Sequence, residues 1–380
     1  MKDKIWSVYV HIPFCRQKCY YCDFPSYAGR ERYMADYIAA LCQEIQVRGS
    51  FYKQKWNNPA TVYIGGGTPT ALPYGLMVKL LQKLQEILPA KYEFTVECNP
   101  GTVDSKYLAM LYASGVNRLS LGVQSFNDDI LRRLGRIHTG SEAEKAILTA
   151  KNLGFANISL DLMYGLPGQS LQALKNSVAT AIALKPEHIS IYGLQLEEGT
   201  VFFKQQTAGK LTLPTDAEAE AMYDYMTSFL PKSGYLRYEI SNFAKKGYES
   251  KHNMGYWQNV PYLGLGAAAH SYLAGQRYAA STDIASYIAG VRTGEFALAQ
   301  EEAADRKTSM EEFCFLALRT AQGIDKKRFA QKFNCSIQSI YADVIAKMKA
   351  KKLLCESDNS IALTELGMKY GNMVFSEFIL

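Results

Sequence analysis

Six short runs rich in β-branched and aromatic residues punctuate the first 235 or so positions: WSVYVHI, TVYIGG, YEFTVEC, NRLSLGV, NISLDLM and HISIYGL. An amphipathic stretch follows each. Strand and helix in regular alternation call for a parallel sheet with right-handed crossovers. The runs read as apolar on both faces, as strands buried between helices are. Tyr33, Tyr37, Leu41 and Ile45 recur every four positions and give one apolar helix face. Asp104 is a natural N-cap for a helix that turns Leu108 and Leu111 inward and closes at Gly115. Ser170 opens another helix, with Leu171, Leu174, Val178 and Ile182 on one side and Pro186 beyond its end. Thr215 and Glu218 have capping-box spacing ahead of AEAMYDYMTSFL. Six units fall short of an eightfold closed barrel. The expected fold is α/β, a partial (β/α)6 TIM-type barrel over residues 1–235, with a doubly wound sheet as the alternative.

Beyond residue 235 the texture changes. Residues 236–304 are rich in Tyr, Gly and Ala, have weak periodicity, and read as a connecting segment. Residues 305–380 are helical again in SMEEFCFLALR, DKKRFAQKF and SIQSIYADVIAKMKAKKLL. A hairpin signal, CESDNSIAL, and a last helix follow, so the tail is expected to be a winged-helix-like α+β domain. Hydrophobic residues make up 48% of the chain, enough for a large core, and 21% are charged, which argues against disorder. The net charge of +6 permits an anionic ligand without demanding nucleic acid. No secretory signal is visible at the amino end, and no apolar run is long enough to cross a bilayer. Cys42, Cys98, Cys314, Cys335 and Cys355 are scattered singly, as buried thiols are. A reducing, cytoplasmic setting is expected.

The remaining cysteines are not scattered. Cys15, Cys19 and Cys22 fall within HIPFCRQKCYYCDF. Thiolates select zinc, copper(I) or iron–sulfur clusters. Structural zinc takes four closed ligands, for which His11 could be the fourth. A 4Fe–4S cluster held by three cysteines keeps one iron open, and that iron can chelate the amino and carboxylate groups of S-adenosylmethionine (SAM). The cluster can then pass one electron to the sulfonium and release a carbon radical, chemistry that proteins delegate to cofactors. Phe14, Tyr20, Tyr21 and Phe24 are placed to shield such a cluster.

In a partial barrel, ligands lie at the carboxyl ends of the strands. There the sequence puts Gly65, Gly66, Gly67 and Thr68 in YIGGGTPT, Glu97 in VECNP, Gln124 in LGVQSF and Asp161 in LDLMYG. Glycines allow close backbone approach, and backbone groups of that turn could hold a methionine amine. Glu97 and Asp161 suit ribose hydroxyls or an ammonium, and Gln124 suits ribose or adenine edges. Arg136 could grip a carboxylate, although Arg132 and Arg133 beside it suggest a solvated basic face.

The spacing C-x3-C-x2-C resembles the radical SAM superfamily. VYVHIPFC, CYYCDF, YIGGGTPT, VECNP, LSLGVQSF, LGRIHT and DLMYGLPGQ together resemble its oxygen-independent coproporphyrinogen III oxidase branch. By that resemblance Tyr9, Gly66, Gly67, Thr68, Glu97, Gln124, Arg136 and Asp161 contact SAM. Two departures point within the branch. The oxidase pattern has a fourth cysteine where Phe24 stands, and it has a longer segment ahead of the motif. Both departures, and the HNxxYW pattern at His252, Asn253, Tyr256 and Trp257, resemble the HemW group of heme chaperones.

The resemblance implies a 4Fe–4S cluster, SAM and heme as cofactors. It also implies heme-receiving client proteins, some of them membrane-associated, an electron donor for the cluster, and a homodimer. His252 is the candidate axial ligand, with Tyr256 and Trp257 packing on the ring and His270 in reserve. His11 is expected to position the cluster loop, and His138 and His188 have no special context. The basic tail residues, among them Lys326, Lys347, Lys349 and Lys351, read as a solvated helix face, so nucleic acid is not an expected partner. Two other functions remain open at this level: coproporphyrinogen III dehydrogenation and radical modification of tRNA.

Overall fold

A computed structural model describes residues 5–88, 92–296, 298–300 and 303–379. The six expected strands are β1 (Ser7–Ile12), β2 (Thr61–Gly66), β3 (Glu93–Cys98), β4 (Arg118–Gln124), β5 (Ile158–Tyr164) and β6 (His188–Gly193). They lie side by side in chain order and all run parallel. The fold is the open α/β barrel, not the doubly wound sheet.

The helices between the strands begin where the caps require. Asp104 accepts from the Tyr107 N–H at 2.7 Å, and Ser170 accepts from the Ala173 N–H at 3.1 Å. Thr215 and Glu218 form the reciprocal capping box. Tyr37, Leu41 and Ile45 are fully buried against the sheet.

One expectation fails. The strands are not apolar on both faces; they alternate. Val8, Val10, Val62, Ile64, Phe94, Val96, Leu119, Leu121, Ile158, Leu160 and Ile189 are completely buried in the core shared with the helices. Their neighbours one residue away are polar: Ser7, Tyr9 and His11; Thr61 and Tyr63; Thr95 and Glu97; Arg118, Ser120 and Gln124; Ser159 and Asp161; His188, Ser190 and Tyr192. Side chains two apart share a face, so the concave wall of the barrel is polar from end to end. An ordinary TIM barrel fills that space with branched apolar side chains; this one keeps it for something else.

Residues 236–300 continue the same sheet in short strands. β7 (Leu236–Arg237) and β8 (Asn242–Ala244) add antiparallel beyond β6, and β9 (Tyr262–Leu265) adds parallel beside β1. β10 (His270–Leu273), β11 (Gln276–Ala280) and β12 (Leu298–Gln300) extend that edge antiparallel, giving twelve strands. β9 is fastened by a buried ion pair between Glu44 and Arg48, at the junction of the first long helix with a π-turn, Ile45–Gly49. Glu44 accepts from the Gly266 N–H at 2.9 Å and the Tyr287 hydroxyl at 2.7 Å, while Arg48 donates to the Gly264 carbonyl at 3.1 Å.

The tail forms its own core, in which Phe313, Phe329, Phe333, Tyr341 and Phe378 pack together. Helices Arg306–Leu318, Lys326–Phe333 and Gln338–Ala350 stand with a small sheet of β13 (Ile324–Asp325), β14 (Leu354–Glu356) and β15 (Ser360–Leu363), a winged-helix arrangement. Several of its basic residues are tied within the domain: Lys326 and Lys349 both pair with Glu356, and Lys347 pairs with Glu377.

Burial also sets a pH dependence. Burial pushes the imidazole of His138 down to about 4 and that of His252 down to about 3, and it holds His188 well below its ordinary value. Each is neutral when folded but protonates below about 6.5 when unfolded. The unfolded state therefore gains protons first, and stability falls with pH from about 6.5 towards these lower values. The expected slope is on the order of 1 kcal/mol per pH unit per histidine. Chemical denaturation between pH 7.5 and 5 checks this: His188→Gln should flatten the profile, and an unchanged slope would contradict the assignment.

Candidate cluster and cofactor site

The polar wall encloses a cavity of about 540 Å³. The cysteine loop stands over its carboxyl-end mouth, and Cys15, Cys19 and Cys22 all line it. All three are free thiols; Cys15 is buried, and the other two are half-buried. The loop is held from many sides. The Cys15 N–H donates to the Tyr27 carbonyl at 3.1 Å, the Tyr20 N–H donates to the Leu134 carbonyl at 3.1 Å, and Lys18 reaches back to the carbonyls of Phe24 and Ser26. His11 bonds the Pro25 carbonyl at 2.8 Å through Nε2 and the Tyr9 hydroxyl at 2.9 Å through Nδ1. His11 thus positions the loop, as expected, and has no nitrogen left for zinc. Among the described residues, no three His, Cys, Asp or Glu side chains close around a single ion. Of the aromatic neighbours, Phe14 is buried on Tyr37, and Tyr20 packs on Phe202. Phe24 corrects the expectation of a shield: it is 60% exposed.

The glycine turn is required by packing. Gly66 has φ +113°, and a Cβ there would meet the His11 ring at 2.6 Å; a Cβ on Gly67 would meet the Phe14 carbonyl at 2.8 Å and Cys15 Sγ at 3.0 Å. The turn is pressed against the cluster loop. Its N–H groups are engaged: Gly66 donates to Glu97, Gly67 to the Ile12 carbonyl and Thr68 to the Phe14 carbonyl. What it can offer an ammonium is carbonyl oxygen.

Glu97, Gln124, Arg136 and Asp161 come together around the same cavity. Glu97 accepts from the Tyr63 hydroxyl at 2.7 Å and the Gly66 N–H at 3.2 Å, and burial pushes its carboxyl up to about 7. Asp161 accepts from the Ser120 hydroxyl at 3.0 Å and is also raised by burial. Gln124 sits at a register shift between β4 and β5 with φ +66°. A non-glycine residue held there costs on the order of 1 kcal/mol, the kind of strain that collects at functional sites. Arg136 donates to Cys19 Sγ at 3.3 Å and to the Gly122 carbonyl. It grips the cluster loop, whereas Arg132 pairs with Asp129 at the surface.

Tyr9 stands apart. It does not line the cavity; it stacks on Tyr63, 6.3 Å between centroids, and orients His11. The HNxxYW segment is also placed differently from expectation. It forms the helix Lys251–Trp257, whose first N–H groups donate to the buried carboxylate of Glu93 at the amino end of β3. His252 is buried under the barrel, stacked on Tyr63 at 4.9 Å. Its Nδ1 bonds Thr61 Oγ1 at 2.7 Å, and its Nε2 bonds the Tyr256 hydroxyl at 3.0 Å. Both nitrogens are engaged, so in this conformation His252 cannot ligate iron. The segment closes the barrel floor, and Asn253 is its residue on the cavity. The Trp257 ring lies 5.3 Å from the Arg319 guanidinium of the tail domain.

Residues 9–181 match the radical SAM superfamily, and residues 304–369 match the HemN C-terminal domain. The heme chaperone HemW of Lactococcus lactis is 40% identical over 100% of this chain and 99% of its own length. The chain belongs to the HemW family. The Bacillus subtilis HemW is 39% identical over 98% of this chain and 99% of its own. The Escherichia coli coproporphyrinogen III oxidase structure superposes with a TM-score of 0.86 over 99% of this chain and 90% of that one; at 23% identity it speaks for the fold.

Radical SAM membership brings a 4Fe–4S cluster and SAM. The residues fit them: three thiols on one rim, an arginine against one sulfur, and paired carboxylates and an amide below. Bound there, the cluster supplies one-electron reducing power. The sequence missed the other polar residues of the wall (Arg118, Ser120, Ser190 and Tyr192), although strict polar alternation was the signal for them.

Glu97 gives a test. Its carboxyl is favoured in the protonated form, so ionisation costs stability as pH rises through about 7. Glu97→Gln should leave the cofactor-free chain at least as stable as wild type at pH 8.5. It should weaken SAM binding to the reconstituted protein about tenfold or more. Unchanged SAM affinity would remove Glu97 from the site.

Proposed function

We propose that this chain is a heme chaperone that carries its cluster on Cys15, Cys19 and Cys22, holds SAM against Glu97, Gln124 and Asp161, and passes heme to client proteins. The observation that carries this reading is the 40% identity over the whole length to a protein named as a heme chaperone, a match that takes in barrel and tail domain alike. Phe24, exposed where the oxidase pattern has a cysteine, supports it over porphyrinogen dehydrogenation. The setting we propose is the cytoplasm, with a reductant for the cluster and clients that include membrane-bound heme proteins; among the described residues no helix is long and apolar enough to cross a membrane.

Heme needs an axial ligand, most often histidine. The chain has five. His11, His138, His188 and His252 are buried, with both ring nitrogens hydrogen-bonded. His270, at the start of β10, is the exposed one, close enough to His11 for their charges to interact. On its exposure, which lets a heme reach it without opening the barrel, we assign the axial role to His270. For His252 to serve, the floor helix would have to leave the barrel.

Heme titration followed by absorbance tests both points. Wild type should give a saturable complex; its absence would refute the chaperone reading. His270→Ala should shift the Soret band and weaken binding about tenfold. His252→Ala should lower the melting temperature while keeping the Soret position. The reverse pattern would return the ligand to the floor helix.

A further inference from the structure

The cavity lining contains a buried cation to which, among the described residues, no carboxylate is hydrogen-bonded. Arg118 opens β4 at the amino end of the barrel and is only 2% exposed, yet it lines the cavity. Its Nε has no hydrogen-bond partner. The carboxylates that act on it through space are engaged elsewhere, Glu97 by Tyr63 and Gly66, and Asp161 by Ser120. Thr95, its register partner on β3, likewise has a buried hydroxyl without a partner. Two unmet polar groups thus sit on paired residues; Arg118, Ser120, Ser190 and Asn253 line the cavity, and Thr95 does not.

A guanidinium withdrawn from water with a donor left unmet is disfavoured. Its planar fork matches a carboxylate or another small oxyanion. Along β4, Arg118 is six residues below Gln124, roughly 20 Å of strand at about 3.3 Å per residue. The place is therefore distinct from the rim where the cysteines stand.

We propose that Arg118 is an anion subsite at the barrel floor that receives the carboxylate of a small ligand entering from the cluster end. The ligand is a small carboxylic acid separate from SAM, whose own carboxylate belongs at the open iron of the rim. This does not depend on the heme assignment.

Sodium formate is the probe, small enough to reach the floor, with sodium chloride at equal ionic strength as the reference. Full-length wild type should show a saturating rise in melting temperature of about 2–4 °C with formate over chloride. Arg118→Met, which keeps bulk and removes charge, should lose that rise. Arg118→Lys should retain part of it. SAM affinity of the reconstituted protein should be unchanged in Arg118→Met; a tenfold loss would show that Arg118 serves the SAM site instead and would refute a separate subsite. If formate acts no differently from chloride, or acts equally on wild type and Arg118→Met, any occupant is an adventitious ion only and the subsite is refuted. If Arg118→Met unfolds, formate dependence in Arg118→Lys decides between these outcomes.

Discussion

The structure depends on one constraint: each core strand must bury one face and keep the other polar. The apolar face makes the fold. Val8, Val62, Phe94, Leu119, Leu160 and Ile189 exclude water from the layer between sheet and helices. Burying a side chain of this size contributes about 1.5–3 kcal/mol, and the six strands repeat that gain at every second residue. The polar face makes the site. A closed apolar barrel would be more stable, but it would leave no room for a cofactor. Stability is instead supplied from outside the wall by the Glu44–Arg48 clamp on β9 and by the helix under the floor.

The cluster loop is fixed by the same wall. Tyr9, His11 and Pro25 form one chain of hydrogen bonds from the inside of β1 to the end of the cysteine loop. Gly66 and Gly67 fit under that loop only because they lack Cβ atoms. Arg136 ties Cys19 to the Gly122 carbonyl, next to the strained Gln124. Thiols, turn and carboxylates are thus tied to one another in one packed unit.

Much of this could be read from residues alone. The six strands, the caps at Asp104, Ser170 and Thr215, and the tail's helices and hairpin are local features, and local propensity governs them. The cysteines and the strand-end residues were legible because their chemistry is unusual for their places. Three things were not. The polar alternation was read as two-sided burial, because Tyr and Ser inside a strand look compatible with a core until the pleat is counted. β7 to β12 were missed because strands of two to five residues carry too little pattern. Spacing makes His252 a candidate ligand but cannot show that Thr61, from a distant part of the chain, and Tyr256, one helical turn on, engage its ring.

Iron and acid-labile sulfide analysis of the anaerobically reconstituted full-length protein, beside a variant with Cys15, Cys19 and Cys22 all changed to Ala, tests the central claim most directly. The account predicts four irons and four sulfides per chain in the first and neither in the second. A single tetrahedral zinc in the wild type, or iron retained by the variant, would contradict it.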